Sequence, residues 1–388
     1  MAKDRAQEDG LILVLNSGSS SLKFGIYERG ATDEEALLTG SADGIGRDSG
    51  SLHIRSSDGT SLLRRDCIHE SQSDALAALA DAIRGHIDGK PTAVGHRIVH
   101  GGPELRKHQI ITPKVLDQLR SAVHFAPLHI PQALSLIASA QSIFSSAVQF
   151  ACFDDAFHQT MPEVAFHFAI PQRYTDAGIR RYGFHGISYE SLVHHFGAQV
   201  PPRAIFAHLG NGSSLCALRN GMSIDTTMGL TPTGGIPMAT RSGDLDPGLI
   251  IYLLRNSKLD ADKLEDLLNH QSGLFALSCG EGDVKALEER ARSGDHSAGL
   301  ALDIFALSVR KAIGAYLALL GGADLLVFTG GIGEHSERIR AASTLGLEAL
   351  GLTPDKIKVI PTEEERQIAR HCRVMLNTQS VAGLSANF

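Results

Sequence analysis

LILVLNSGSSSLKFGIY, residues 11–27, is the stretch on which the fold of this chain turns. An apolar run from Leu11 to Leu15 meets a turn of Asn, Ser and Gly, and a second strand-like run follows from Leu22 to Tyr27. The phrase returns at residues 204–218 as AIFAHLGNGSSLCAL, again with Gly-Ser-Ser between two apolar runs. Each copy reads as a β-hairpin with a turn rich in hydroxyls and backbone N–H groups. Two copies about half a chain apart predict an internal duplication, two lobes of similar construction that each open on a hairpin.

The flanking segments alternate. DALAALADAIRGHI (74–87) is amphipathic, with Ser71 and Asp74 at capping-box spacing. PTAVGHRIVHGG (91–102) is short, β-branched and closed by two glycines, hence a strand. PQALSLIASAQSIF (131–144) has helical periodicity, and SAVQFACFDDAFH (146–158) opens as a buried strand. Leu302, Phe305, Val309, Ile313, Tyr316 and Leu320 recur at helical spacing, so 298–320 is a helix that Gly321 and Gly322 stop. DLLVF (324–328) is a strand, TGGIGE (329–334) a turn and 336–350 a further helix. Strands alternating with helices predict an α/β fold with helix-covered sheets. We expect a first lobe over 1–153 plus 367–388, with the C-terminal helix returning to it, and a second lobe over 154–366.

Composition narrows the function classes. The chain has 388 residues, 43% of them hydrophobic and 20% charged, and a net charge of -7. That balance argues against broad electrostatic binding to nucleic acid or an anionic membrane. The apolar run after the charged start is too short for a signal peptide, and no run reaches the ~18 residues of a membrane span. The five cysteines, at 67, 152, 216, 279 and 372, are odd in number and form no C-x-x-C pair, which fits a reducing cytoplasm. Glycine is plentiful, at 40 residues, which suggests tight turns or close backbone approaches to a ligand.

The first hairpin turn, Asn16 to Lys23, combines a glycine suited to positive φ with Ser19, Ser20 and Ser21. These groups suit a phosphate, Asn16 suits a hydrated Mg²⁺ and Lys23 adds a cation; a solvated turn has the same composition. The chain has neither a P-loop nor a G-x-G-x-x-G pattern. His208 to Ser214 repeats the logic, with Gly210 and Gly212 permitting close approach to phosphate oxygens. The third glycine turn, Thr329 to Glu334, lies between strand and helix, where it either clasps a nucleotide or simply turns. Arg97 and Arg241 sit among small residues, facing an anion or forming structural ion pairs. His129 and His185 follow apolar or aromatic residues, so they are satisfied structural groups or donors to a transferring phosphoryl group. Asp154 ends an apolar strand, as a catalytic carboxylate or a helix cap. In PTEEE (361–365), Thr362 and Glu365 have capping-box spacing, leaving Glu364 to reach a metal.

LNSGSSSLKF, GHRIVHGG, APLHIP, FDDAFHQTMP, RRYGFHGIS, HLGNGSS, DTTMGLTPTGG, ATRSGDLDP, FTGGIGE and IPTEEE run in order from residue 15 to 365. Together they resemble the acetate kinase family, within the acetate/sugar kinase–Hsp70–actin superfamily. The resemblance implies two duplicated ribonuclease-H-like (actin-like) lobes around a central cleft, and reversible phosphoryl transfer between ATP and a small carboxylate. It implies Mg²⁺, or Mn²⁺, held by Asn16 and Glu364. Ser19, Ser21 and Lys23 would face phosphate. Arg97 and Arg241 would bind the carboxylate and the migrating charge, Asp154 would be the catalytic carboxylate, and His185, assisted by His129, would stabilise the transition state. His208, Leu209, Gly210, Asn211 and Gly212 would hold ATP phosphates, and Asp283, Val284 and Lys285 the adenosine end. Gly330, Gly331, Ile332 and Gly333 would pack beside the nucleotide. Val99, Leu128, Phe184 and Pro232 would line the pocket for the methyl group of acetate. A homodimer is implied by the resemblance alone. Three positions depart from the family pattern: Lys285 stands for Arg and lacks its planar face, Ser242 stands for Cys, and Arg366 stands for Leu, which leaves the metal register open among Glu363, Glu364 and Glu365. The alternatives are a propionate or butyrate kinase on the same scaffold, against which Val99 speaks in family terms, and an actin- or Hsp70-like ATPase with no acyl acceptor.

Overall fold

A computed structural model of the chain describes residues 10–18, 20–29 and 34–385. It divides into two compact units: the first takes the chain as far as Ala156 and resumes at Glu363, and the second is Phe157–Thr362. Asp154 and Glu364 therefore fall with the first unit, whereas the expected boundaries put both in the second. The reason at Asp154 is local, since its N–H donates to the Ile98 carbonyl at 2.9 Å and prolongs the strand pairing.

The first unit is built on β1 (Leu11–Ser17), β2 (Ser21–Arg29), β3 (Glu34–Asp43), β4 (Ser51–Ser56), β5 (Ser61–Asp66), β6 (Pro91–Ile98), β7 (Gln109–Ile110) and β8 (Val148–Phe153). Their order in the sheet is β5-β4-β3-β2-β1-β6-β8-β7. β1 is antiparallel to β2 and parallel to β6, which is parallel to β8. A central parallel strand is covered on both faces, which explains why β1 is one continuous apolar run. Leu11, Leu13 and Leu15 pack with helices Gln72–Ile83 and Ile130–Ile143 through Leu76, Leu79, Leu136 and Ala140. Along β6, Val94 joins that cluster while its neighbour Gly95 points the other way. A Cβ at Gly95 would lie 2.6 Å from Ile368 Cγ2 and 2.7 Å from Cys372 Sγ, so the bare backbone admits the C-terminal helix Glu364–Ser385.

The second unit carries β9 (Arg203–Leu209), β10 (Ser213–Arg219), β11 (Met222–Thr226), β12 (Leu325–Thr329) and β13 (Ile357–Val359), in the order β11-β10-β9-β12-β13. β9 is antiparallel to β10 and parallel to β12, which is parallel to β13. This is the pattern of β3-β2-β1-β6-β8, strand for strand and direction for direction. Helix His296–Leu320 packs on one face through Leu302, Phe305, Val309 and Ile313 against Ile205, Ala207 and Leu215. Phe206, Cys216 and Val327 point to the opposite face, where Tyr189 and Leu192 of helix Gly186–Phe196 meet them. Asp295 caps the long helix through Ser297 and Ala298 N–H, and Gly321 at φ 71 ends it.

Three local expectations change. Residues 329–334 are not an open turn, because a short helix, Gly330–His335, starts directly after β12. The helix expected over 336–350 ends at Thr344, and Gly346 at φ 80 separates it from a 3₁₀ turn over Leu347–Leu350. Gly18 does not use positive φ; what its missing side chain provides is room, since a Cβ would lie 2.9 Å from Ser21 Oγ. Among the described residues no helix is long and apolar enough to cross a membrane.

His96, on β6, is 2% exposed, with Nε2 2.8 Å from Gln149 Oε1 on β8. Burial holds its pKa down to about 4, against which the Gln149 hydrogen bond acts only in part. The folded state therefore prefers neutral His96, and its contribution to stability, complete above the unfolded value near 6.5, is lost as pH falls toward 4. Urea unfolding of the first unit is expected to show a loss of up to about 3 kcal/mol across this window. His96→Gln, which takes no proton, should flatten that slope; an unchanged slope would assign it to other groups.

Candidate active site

Because β1, β6 and β8 are parallel neighbours, their carboxyl ends lie along one edge of the first sheet, where α/β folds place ligands. Asn16, Arg97 and Asp154 stand at those three ends. Arg97 donates to a single Asp154 oxygen from Nε, at 3.2 Å, and more closely from Nη2. Its Nη1 donates to Asn16 Oδ1 at 3.3 Å and to the Ser17 carbonyl at 3.5 Å. Asn16 Nδ2 in turn donates to Glu364 Oε2 at 3.0 Å and to Glu365 Oε1 at 2.7 Å, in the first turn of the C-terminal helix. Glu363 instead accepts from Arg366 at 3.2 Å. Of the three glutamates left open, Glu364 and Glu365 meet Asn16, and Glu365 is a member that the capping-box reading sets aside.

Asp154 is fully buried, with Oδ1 lacking a hydrogen-bond partner. Burial pushes the Asp154 carboxyl up, Arg97 pulls it back and Glu364 pushes it up again, with a net upward shift. Burial also works against the charge on Arg97, but Asp154 first and Glu364 next outweigh it and hold the guanidinium protonated. The Glu364 and Glu365 carboxylates and the buried Asp154 oxygen that lacks a hydrogen-bond partner are oxygen donors of the kind that fits a hard divalent cation.

The hairpin turn beside this cluster is tied down. Gly18 N–H donates to the Ser21 carbonyl at 2.8 Å, and Gln72 Nε2 donates to the Gly18 and Ser21 carbonyls at 2.9 and 3.2 Å. Lys23 is exposed, opposite Asn16 in the ladder; Ser19 lies outside the described residues. Val99 is half-buried one residue beyond β6, and Leu128 is 38% exposed. His129, half-buried, immediately precedes helix Ile130–Ile143.

The second unit gathers its own set. His185 precedes helix Gly186–Phe196 with φ 61, a left-handed backbone that a histidine adopts only when its surroundings enforce it. Its Nδ1 is 2.9 Å from Ser214 Oγ, which lies 2.5 Å from the buried Tyr189 hydroxyl. The His185 ring stacks on His208, with centroids 4.3 Å apart. A Cβ at Gly212 would come within 3.2 Å of His185 Nε2 and 3.5 Å of Arg241 Nη1, so the Gly210–Gly212 turn, both histidines and Arg241 converge. Arg241 also donates to the Pro232 carbonyl at 3.3 Å, and Ala239 N–H donates to the Asn211 carbonyl at 3.2 Å. Gly330, at φ 76, closes the group, since a Cβ there would meet the Leu209 carbonyl at 2.7 Å and His208 Nε2 at 3.2 Å.

Other expected residues fare differently. The Gly210 N–H points back to the Gly212 carbonyl at 3.0 Å rather than outward. Asp283 caps helix Val284–Arg292 by accepting from Ala286 N–H at 2.9 Å, the Val284 side chain is core and Lys285 is exposed. Gly331 is exposed, Ile332 packs on the core and Gly333 is buried against Phe328. Phe184 is buried, with its carbonyl 3.1 Å from His158 Nε2. Ser188, Tyr189, Ser214 and Thr362 were not selected from sequence, although Gly-Ser-Ser in the repeated phrase marks the position of Ser214.

Two units with one five-strand order, each opening on a hairpin and each gathering polar groups at strand ends, define a duplicated ribonuclease-H-like, actin-like α/β protein. Residues 11–377 match the Acetokinase family. The chain is 39% identical to an acetate kinase of Clavibacter sepedonicus, over 93% of this chain and 98% of that one. Among crystal structures, an acetate kinase from Porphyromonas gingivalis is 32% identical with a TM-score of 0.83, covering 95% of this chain and 100% of its own. A propionate kinase from Francisella tularensis is 35% identical with a TM-score of 0.87, covering 94% and 100%. The chain belongs to the acetokinase family.

Arg97→Ala strands the buried Asp154 carboxylate and should lower stability by about 3–5 kcal/mol. Adding Asp154→Asn should recover much of that loss in a double-mutant cycle followed by urea unfolding. A loss below about 1 kcal/mol in the single variant, within the range of a surface pair, would show that the pair does not hold these strand ends together.

Proposed function

We propose that this chain is an acetate kinase, transferring the γ-phosphoryl group of ATP reversibly to acetate to give acetyl phosphate and ADP. The observation that carries the reading is the convergence of His185, His208 and Arg241 on the Gly210–Gly212 turn, in a chain of the acetokinase family. Phosphoryl transfer asks little covalent chemistry of a protein; it needs positioning and neutralisation of charge as the charge moves.

In this reading His208 to Gly212 and Gly330 to Gly333 hold the ATP phosphates, Asp283 to Lys285 meet the adenosine end, and Ser21 and Lys23 lie toward phosphate. Arg97 orients the carboxylate, with Val99, Leu128, Phe184 and Pro232 around its methyl group. An acetate oxygen then attacks phosphorus in line, and ADP leaves. Arg241 and His185, assisted by His129, neutralise the phosphoryl oxygens as charge develops. Asp154 acts through Arg97, fixing its planar fork with two hydrogen bonds. Asn16, Glu364 and Glu365 would hold a divalent cation, Mg²⁺ or Mn²⁺, whose contribution when bound is charge neutralisation on the phosphates. The setting we propose is a cytoplasmic homodimer.

Hydroxylamine trapping tests the activity. Acyl hydroxamate should form only with acetate and ATP together; ATP turnover indifferent to acetate, with no hydroxamate, would favour a nucleotide switch instead. Arg241→Ala should lower kcat by about 10²–10³-fold with the fold retained by circular dichroism. The propionate kinase likeness supports a second acceptor, so kcat/KM for acetate, propionate and butyrate decides between them. Acetate should lead in the native protein, and Val99→Ala should move the ratio toward propionate by tenfold or more, as about one methylene of space permits.

A further inference from the structure

His208 does not stand alone in the second unit. Its Nδ1 is 2.8 Å from Ser188 Oγ, and the Thr362 hydroxyl donates to that same Ser188 oxygen at 2.9 Å. Ser191 directs its own hydroxyl proton to the Ser188 carbonyl at 2.7 Å. With the Thr362 hydroxyl donating to Ser188 Oγ, the Ser188 proton is available to His208 Nδ1. A ring nitrogen that accepts carries no hydrogen, so in the neutral imidazole Nε2 carries it. Nε2 is the atom that faces the glycine turns, 3.2 Å from where a Cβ would sit on Gly330 and 3.7 Å on Gly210.

We propose that Ser188 and Thr362 are positioning residues: a Thr362→Ser188→His208 relay that fixes His208 as the Nε2–H tautomer and aims that donor at a phosphate oxygen. The phosphate part rests on the functional reading above; the tautomer part rests on the Thr362–Ser188–His208 contacts. Thr362 is the last residue of the second unit, so the relay fastens the point where the chain leaves the unit to the histidine beside its glycine turns. Ser188 is fully buried, which keeps water from substituting for its hydroxyl.

Without Thr362, the Ser188 hydroxyl is free to rotate and accept from Nδ1–H, and both tautomers become populated. Heteronuclear NMR of the imidazole nitrogens in histidine-labelled protein, with the His208 signals assigned by their loss in His208→Gln, reads this directly. Native protein should show protonated Nε2 and unprotonated Nδ1. Thr362→Val, which keeps the side-chain shape, and Ser188→Ala should move both signals toward a mixture, and Thr362→Ser should restore them. In parallel, kcat/KM for ATP should fall by about tenfold in Thr362→Val, the scale of a hydrogen bond to a charged oxygen, while KM for acetate stays put. A protonated Nδ1 in the native protein, or signals unmoved in both variants, overturns the relay. Signals that follow the expectation in a protein without acid-dependent turnover uphold the relay and instead remove the kinase reading.

Discussion

One guanidinium holds the business edge of the first sheet together. Arg97 joins a carboxylate sealed from water at the end of β8 to an amide at the end of β1, and the amide passes the connection to two glutamates of the C-terminal helix. Only a planar fork with several donors makes such a junction, because each arm must satisfy a different strand end at once. The parallel pairing of β1, β6 and β8 is what brings the three ends level; the guanidinium keeps the negative groups from driving them apart.

The duplication gives the second unit the same strand order but a different chemistry at its edge. There the groups are imidazoles, hydroxyls and a second arginine, set against glycines whose missing side chains let rings and guanidinium approach the backbone. One framework therefore presents an acidic end in one copy and a donor-rich end in the other. The difference between the two edges follows from which side chains end the strands, not from any difference in the framework. The strained backbone at His185 is the local expense of placing an imidazole there.

The repeated hairpin phrase carried most of the fold, because continuous apolar runs, Gly-Ser turns and the glycine-stopped helix read over 298–320 are all local signals. Asn16, Arg97, His185 and Arg241 were legible for the same reason: each is a polar residue interrupting an apolar or glycine-rich stretch. Glu365 and Thr362 were not. Glu365 meets Asn16 across nearly the whole sequence, and Thr362 meets Ser188 across much of the second half, so neither contact leaves a local trace. Gly18 misled for another reason, since glycine serves tight approach as readily as positive φ and only the neighbouring Ser21 side chain tells which. Asp283 entered only through the resemblance, at the adenosine end, and its carboxylate is engaged in capping helix Val284–Arg292.

The bare backbone at Gly95 sets an order on biogenesis. The last helix nestles on the middle of the first sheet, through Ile368 and Cys372, yet it emerges from the ribosome only after every residue of the second unit. During synthesis the opening strands thus wait for the helix that covers this face until the rest of the chain has been made, so the portion translated earliest is the last to receive all of its pieces.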